Sequence, residues 1–169
     1  MKKLVFLFAS LFITVIAVQN VNAQYNESAE AQVSAVIITP IDIVKEADLA
    51  FGNIIASGIA GTVTVNTNDV RTQTAGATFP TIAGTVSSAE FKVTGFAGSV
   101  YSITLPTDNS IKLEGTGVDM NLTGFTHNAE ELLNESGEET FKVGATLNVN
   151  ADQAAGEYTS NFDVIVNYN

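Results

Sequence analysis

The chain of 169 residues contains no cysteine, a single histidine, three prolines and only 7 lysines and arginines against 18 aspartates and glutamates. Without cysteine there is neither a disulfide framework nor a lipid-bearing N-terminal cysteine, so stability has to come from an apolar core. One histidine and no thiol leave too few soft ligands for a transition-metal centre, and none is expected. A Ser-His-Asp triad needs only one histidine, but no G-x-S-x-G elbow accompanies His127. His127 reads as a polar loop residue flanking the run AEELLN. The net charge of −11 argues against nucleic acid and anionic membrane as partners. The densest acidic run, Glu130, Glu131, Glu135, Glu138 and Glu139, lacks the D-x-[DN]-x-[DN]-G spacing of a calcium loop and alternates with Leu132 and Leu133 like a solvated turn. No convergent set of titratable groups stands out, so no catalysis and no cofactor are expected.

What is present begins with Lys2 and Lys3, an uncharged apolar run from Leu4 to Val18, and the small-residue site Val21-Asn22-Ala23. This is the pattern of a secretory signal peptide over residues 1–23, with an apolar segment too short to span a bilayer comfortably. The expectation is an exported protein of the periplasm, outer surface or extracellular space, with no membrane span after cleavage. Residues 24–169 have the size of one domain.

That domain is written in a period of two, the repeat of strands with one buried face. Ala31, Val33, Ala35 and Ile37 share one parity before Pro40; Leu49 and Phe51 follow, then Val63 and Val65 in GTVTV, with NTND as a turn. Ala89, Phe91 and Val93 alternate with polar residues, as do Tyr101, Ile103 and Leu105; the short GFAG between them predicts a hairpin. Val118, Met120 and Leu122 follow, and Phe141 to Val149 form the longest clean alternation. Tyr158, Phe162, Val164, Val166 and Tyr168 make the last strand, over about 157–168, and Asn169 alone follows it. Its neighbour is therefore expected at the other end of the sequence, in Ala31–Thr39. AEELLN, residues 129–134, is the one short helical turn predicted. Turn-separated strands of this kind predict an all-β, mostly antiparallel sandwich.

Several ordered stretches carry a resemblance: VIITPIDI, DLAFGNI, GTVTV, AEFKVTGFAGSVYSITLP, FKVGATLNV and GEYTSNFDVIVNY. Together they resemble the exported bacterial family called domain of unknown function 4402. More distantly, the L-x-F-G near the start and the G-x-Y before the final alternation are similar to spore coat protein U and the archaic chaperone-usher pilins. That resemblance implies an immunoglobulin-like sandwich of about seven to nine strands that lacks its last strand and is completed by an N-terminal extension. Here Ala31, Val33, Ala35 and Ile37 would be the donor, and Tyr158 to Tyr168 would flank the acceptor groove. Those pilins commonly carry a disulfide, which this chain cannot form.

Two functional expectations follow. The first is an envelope or extracellular structural, adhesin-like protein, a fimbrial subunit that pairs residues 31–39 with residues 157–168 in cis or in trans, with itself or other envelope proteins as partners. The second is a monomeric module that binds carbohydrate or another surface polymer through loops 66–85 and 107–116. Its candidate ligand residue is Phe96, which with Tyr25 stands apart from the aromatics at buried-parity positions.

Overall fold

The computed structural model describes residues 26–169. The signal-peptide reading of residues 1–23, and Tyr25, lie outside the described residues. The chain divides into an N-terminal unit, of which residues 26–36 are described, and a compact unit, Ile37–Asn169. Residues 26–36 are coil, exposed throughout.

The compact unit is all-β, with antiparallel pairing throughout and fourteen strands among the described residues: β1 (Asp42–Ala47), β2 (Ala50–Phe51), β3 (Ile55–Ala56), β4 (Gly61–Val65), β5 (Arg71–Gln73), β6 (Ala77–Thr78), β7 (Val86–Ser87), β8 (Ala89–Thr94), β9 (Tyr101–Thr104), β10 (Lys112–Gly115), β11 (Met120–His127), β12 (Glu138–Val149), β13 (Tyr158–Thr159) and β14 (Ile165–Tyr168). An eight-stranded sheet runs β1-β8-β12-β11-β10-β13, with β4 and β5 branching from β12. The pairs β14-β9, β2-β7 and β3-β6 complete an architecture consistent with a β-sandwich.

The long strand β12 organises the fold. Its first half, Glu138–Val143, pairs with β8 and its second half, Ala145–Val149, with β4. The change of partner falls at Gly144, where a β-carbon would collide with the Val65 carbonyl. Alternation sorts the faces: Val63, Val65, Leu147 and Val149 go inward, whereas Thr64 and Thr146 meet outward, their hydroxyls 2.8 Å apart. Two apolar clusters result. One gathers Phe51, Val63, Val65, Met120, Leu122 and Leu147; the other packs Phe91, Val93, Phe141 and Val143 against Tyr101, Val166 and Tyr168.

Four local expectations are corrected. Among the described residues no strand precedes Asp42: residues 31–39 are exposed coil, because alternation produces a strand only where a ladder partner exists. GFAG is not a hairpin but a crossover, since β8 pairs with β1 and β12 while β9 pairs with β14. AEELLN forms no helix. The Glu139 carboxylate, from β12, takes the amide protons of Glu130 (2.6 Å) and Leu132 (3.1 Å), and Glu131 has a positive φ of 59°. Finally, the last strand is interrupted: β13 pairs with β10, β14 pairs with β9, and residues 160–164 between them pair with nothing. The two segments read as ligand loops are also partly sheet, since 66–85 contains β5 and β6 and 107–116 contains β10.

Candidate functional site

A groove opens where this interrupted segment faces the start of the sheet. Its upper section, about 660 Å³, lies between Lys45–Phe51 and Tyr158–Asp163. Its lower section, about 890 Å³, lies between Leu49–Ala56 and Gln153–Tyr158. The two adjoin at Leu49, Phe51, Leu113 and Tyr158, which line both.

The groove floor is the core itself. Phe51, Phe91 and Met120, which line it, are the most exposed members of the core at 8%, 8% and 6%. Val63, Val65, Val93 and Val143, which do not line it, are at 0%. The inward-facing residues on the C-terminal wall, Tyr158, Phe162, Val164, Val166 and Tyr168, are all only half-buried. Apolar surface in a finished sandwich is covered from both sides; here the floor is more than nine-tenths buried, and the incompletely covered apolar side chains are those of the C-terminal wall.

Both walls carry backbone without a ladder partner. Among the described residues β1 pairs only with β8, which leaves its outer edge open. On the other wall, Ser160 to Val164 belong to no strand and have no ladder partner. Unmatched N–H and C=O groups along two edges, with an apolar floor between them, are the features a further strand would use.

The residues named from sequence fall in distinct places. Tyr158 and Phe162 line the groove, and Val164, Val166 and Tyr168 continue its wall upward into β14. Ala31, Val33, Ala35 and Ile37 are exposed, Val33 at 93% and Ile37 at 97%. Among the described residues they make no ladder with β14, whose partner is β9. Phe96 is 42% exposed, and its amide N–H donates to the Tyr168 hydroxyl at 2.7 Å. Of the two loop segments, 107–116 contributes Ile111 and Leu113 to the groove and 66–85 contributes nothing.

Lys45, Asp48 and Asp163 line the upper section of the groove, the first two as an exposed ion pair, whereas two other titratable clusters lie away from it and act as braces. The Asp69 carboxylate accepts from the Ser88 amide (2.8 Å) and hydroxyl (2.7 Å) and pairs with the Lys142 ammonium (2.6 Å). Lys142 first, then the Ser88 donors, hold the Asp69 carboxyl well below the usual carboxylate range, and Asp69 in turn raises Lys142. Tyr101, fully buried, donates to Glu139 at 2.8 Å; burial first and then that carboxylate push its phenol above its ordinary value. His127 Nδ1 accepts from the Ala129 amide at 3.3 Å, and its ring lies edge-on to Phe141. Among the described residues no group of three or more His, Asp or Glu could hold a metal ion, and no helix is long and apolar enough to cross a membrane.

Sequence reasoning did not find the groove floor. Leu49, Phe51, Phe91 and Met120 were legible as inward-facing, but no sequence signal separates a covered inward residue from an uncovered one. Arg71 was also missed. Its guanidinium lies 3.7 Å from the Phe79 ring centre and donates to the carbonyls of Phe51 (2.6 Å) and Asn53 (3.0 Å), tying segment 66–85 to the groove wall.

The fold and groove therefore define an antiparallel all-β domain with one open face. Residues 41–168 match the family described as Domain of unknown function (DUF4402), and the chain belongs to it. No curated protein and no solved structure matches the chain.

Proposed function

We propose that the protein is a structural subunit of the cell envelope or exterior whose groove accepts an extended apolar strand, and that Ala31–Thr39 is the strand it is built to donate. The observation that carries this reading is the channel between two unpaired backbone edges, floored by Phe51, Phe91 and Met120. The donor fits by composition. Nine extended residues span roughly 30 Å, and AQVSAVIIT carries no charge.

Its odd-numbered residues would enter the floor while main-chain groups pair with both walls. Each of Val33 and Ile37 would contribute about 1.5–3 kcal/mol on full burial. The signal-like start of the sequence supports export, and adhesion or fimbrial assembly is the use such a subunit would serve. The chemistry is binding and assembly, with no catalysis. Loop binding of a carbohydrate or surface polymer has less support, because segment 66–85 lines no part of the groove and its exposed Val70 and Ile82 are isolated side chains without an accompanying cavity.

The test is to delete residues 24–39 and titrate the shortened chain with the AQVSAVIIT peptide. Loss of self-association, with stability restored by the peptide, is the expected result. A shortened chain that stays folded and monomeric and ignores the peptide sinks the proposal.

A further inference from the structure

Resting on that reading, we infer that Tyr168 is a positioning residue that directs Ala31–Thr39 away from the chain's own groove and toward a second copy. Its hydroxyl sits at a junction of three segments. It accepts the Phe96 amide proton at 2.7 Å and donates to the Thr39 carbonyl at 2.8 Å. Gly95 leaves the space for it, since a β-carbon there would collide with the hydroxyl. The ring packs against the second apolar cluster, so the grip on Thr39 is anchored in the core.

The position of this grip decides direction. β1 starts at Asp42, opposite Thr94 and beside the Gly95–Phe96 junction, and runs to Ala47, opposite Glu90. The groove begins at Lys45 and continues past Phe51 to Ala56. Traced backwards from β1, the chain at Thr39 therefore heads away from the groove. Pro40 reinforces this, since a residue before proline is confined to extended conformations.

To fill its own groove the segment would have to reverse over residues 39–41, breaking the Tyr168 bond. Such a turn, centred on Pro40, would place Ala31 opposite Leu49. The lower section, with Met120 and Val149, would stay empty. A second copy carries no such restriction on register and can lay its nine residues along the whole channel. A head-to-tail contact of this kind joins successive copies, into a ring where the rotation between them closes and into a fibre where it does not.

The test uses the chain from residue 24 onward, as wild type and as Tyr168→Phe, with fluorescently labelled AQVSAVIIT peptide at protein concentrations too low for self-association. The wild-type groove should bind the peptide. In Tyr168→Phe the chain's own segment is freed to turn back at high effective concentration, so peptide affinity should fall at least about tenfold and oligomers should give way to monomers at higher protein concentration.

Equal peptide affinity and equal oligomers in both proteins overturn the role of Tyr168 while leaving the strand-accepting reading intact. If wild type does not bind, the double variant Val33→Asp, Ile37→Asp separates the causes. Binding gained on disabling the segment means it already fills its own groove, which overturns this inference alone. No binding in either protein overturns the strand-accepting reading itself. Should Tyr168→Phe fail to fold, a five-residue Gly/Ser insertion between Thr39 and Pro40 loosens the same take-off point; it must produce the same shift, and an unchanged affinity refutes the inference.

Discussion

Tyr101 and Asp69 show how single side chains keep this cysteine-free sandwich together. The Tyr101 hydroxyl is fully buried and its partner Glu139 also caps the amides of Glu130 and Leu132, so one carboxylate joins β9, β12 and the 129–134 loop. Tyr101→Phe removes one charged hydrogen bond from a carboxylate that keeps two others. It should cost about 1.5–3 kcal/mol, read as a drop in the denaturant midpoint with an unchanged slope. Asp69 is a matter of pH. Its folded-state pKa lies below its ordinary value of 3.8, so its stabilisation is complete above that value and is lost as the pH falls through it toward the depressed one. Melting temperature measured from pH 6 down to pH 2 should fall for the wild type. Asp69→Asn should start lower at pH 6 and show a shallower acid decline; parallel curves would refute the assignment.

At the level of strands, sequence alternation was a good guide to which face a residue takes and a poor guide to what lies beside it. GTVTV became β4 as read, and β8 and β12 alternate as expected, because inward and outward are fixed locally by the pleat. Pairing is not local. Nothing in GFAG distinguishes a hairpin from a crossover, since the choice depends on β9 finding β14, more than sixty residues away. The same limit explains the final segment, where the period of two continues through residues 160–164 although the ladder does not. It also explains residues 31–39, whose alternation is that of a strand although they are exposed coil without a ladder partner. A charge on the donor face should therefore leave the domain folded and abolish its use as a donor. Val33→Asp or Ile37→Asp is expected to reduce self-association at least about tenfold by light scattering, with no loss of melting temperature when wild type and variant are compared by calorimetry at concentrations too low for self-association. A matched loss of stability would mean that these exposed residues already serve the isolated fold.

For the molecule as a whole, the proposed strand-accepting role predicts that measured stability depends on what fills the groove. Phe51, Phe91 and Met120 on the groove floor are 6–8% exposed and the C-terminal wall is half-buried, so on the proposed reading an added strand would cover mainly that wall. A ligand that binds the folded state alone stabilises it by about 2.7 kcal/mol at one hundred times its dissociation constant. For a domain of this size that corresponds to a rise of roughly 5–10 °C in melting temperature. Peptide AQVSAVIIT added at that excess to the chain lacking residues 24–39 should produce such a rise. A peptide of the same composition with the order scrambled to break the alternation should not, because its apolar side chains would no longer all face the floor. Covering the groove should also suppress binding of a hydrophobic dye to the shortened chain. Equal stabilisation by both peptides would reduce the groove to a nonspecific apolar surface, and no stabilisation by either would remove the donor segment from the account of this fold.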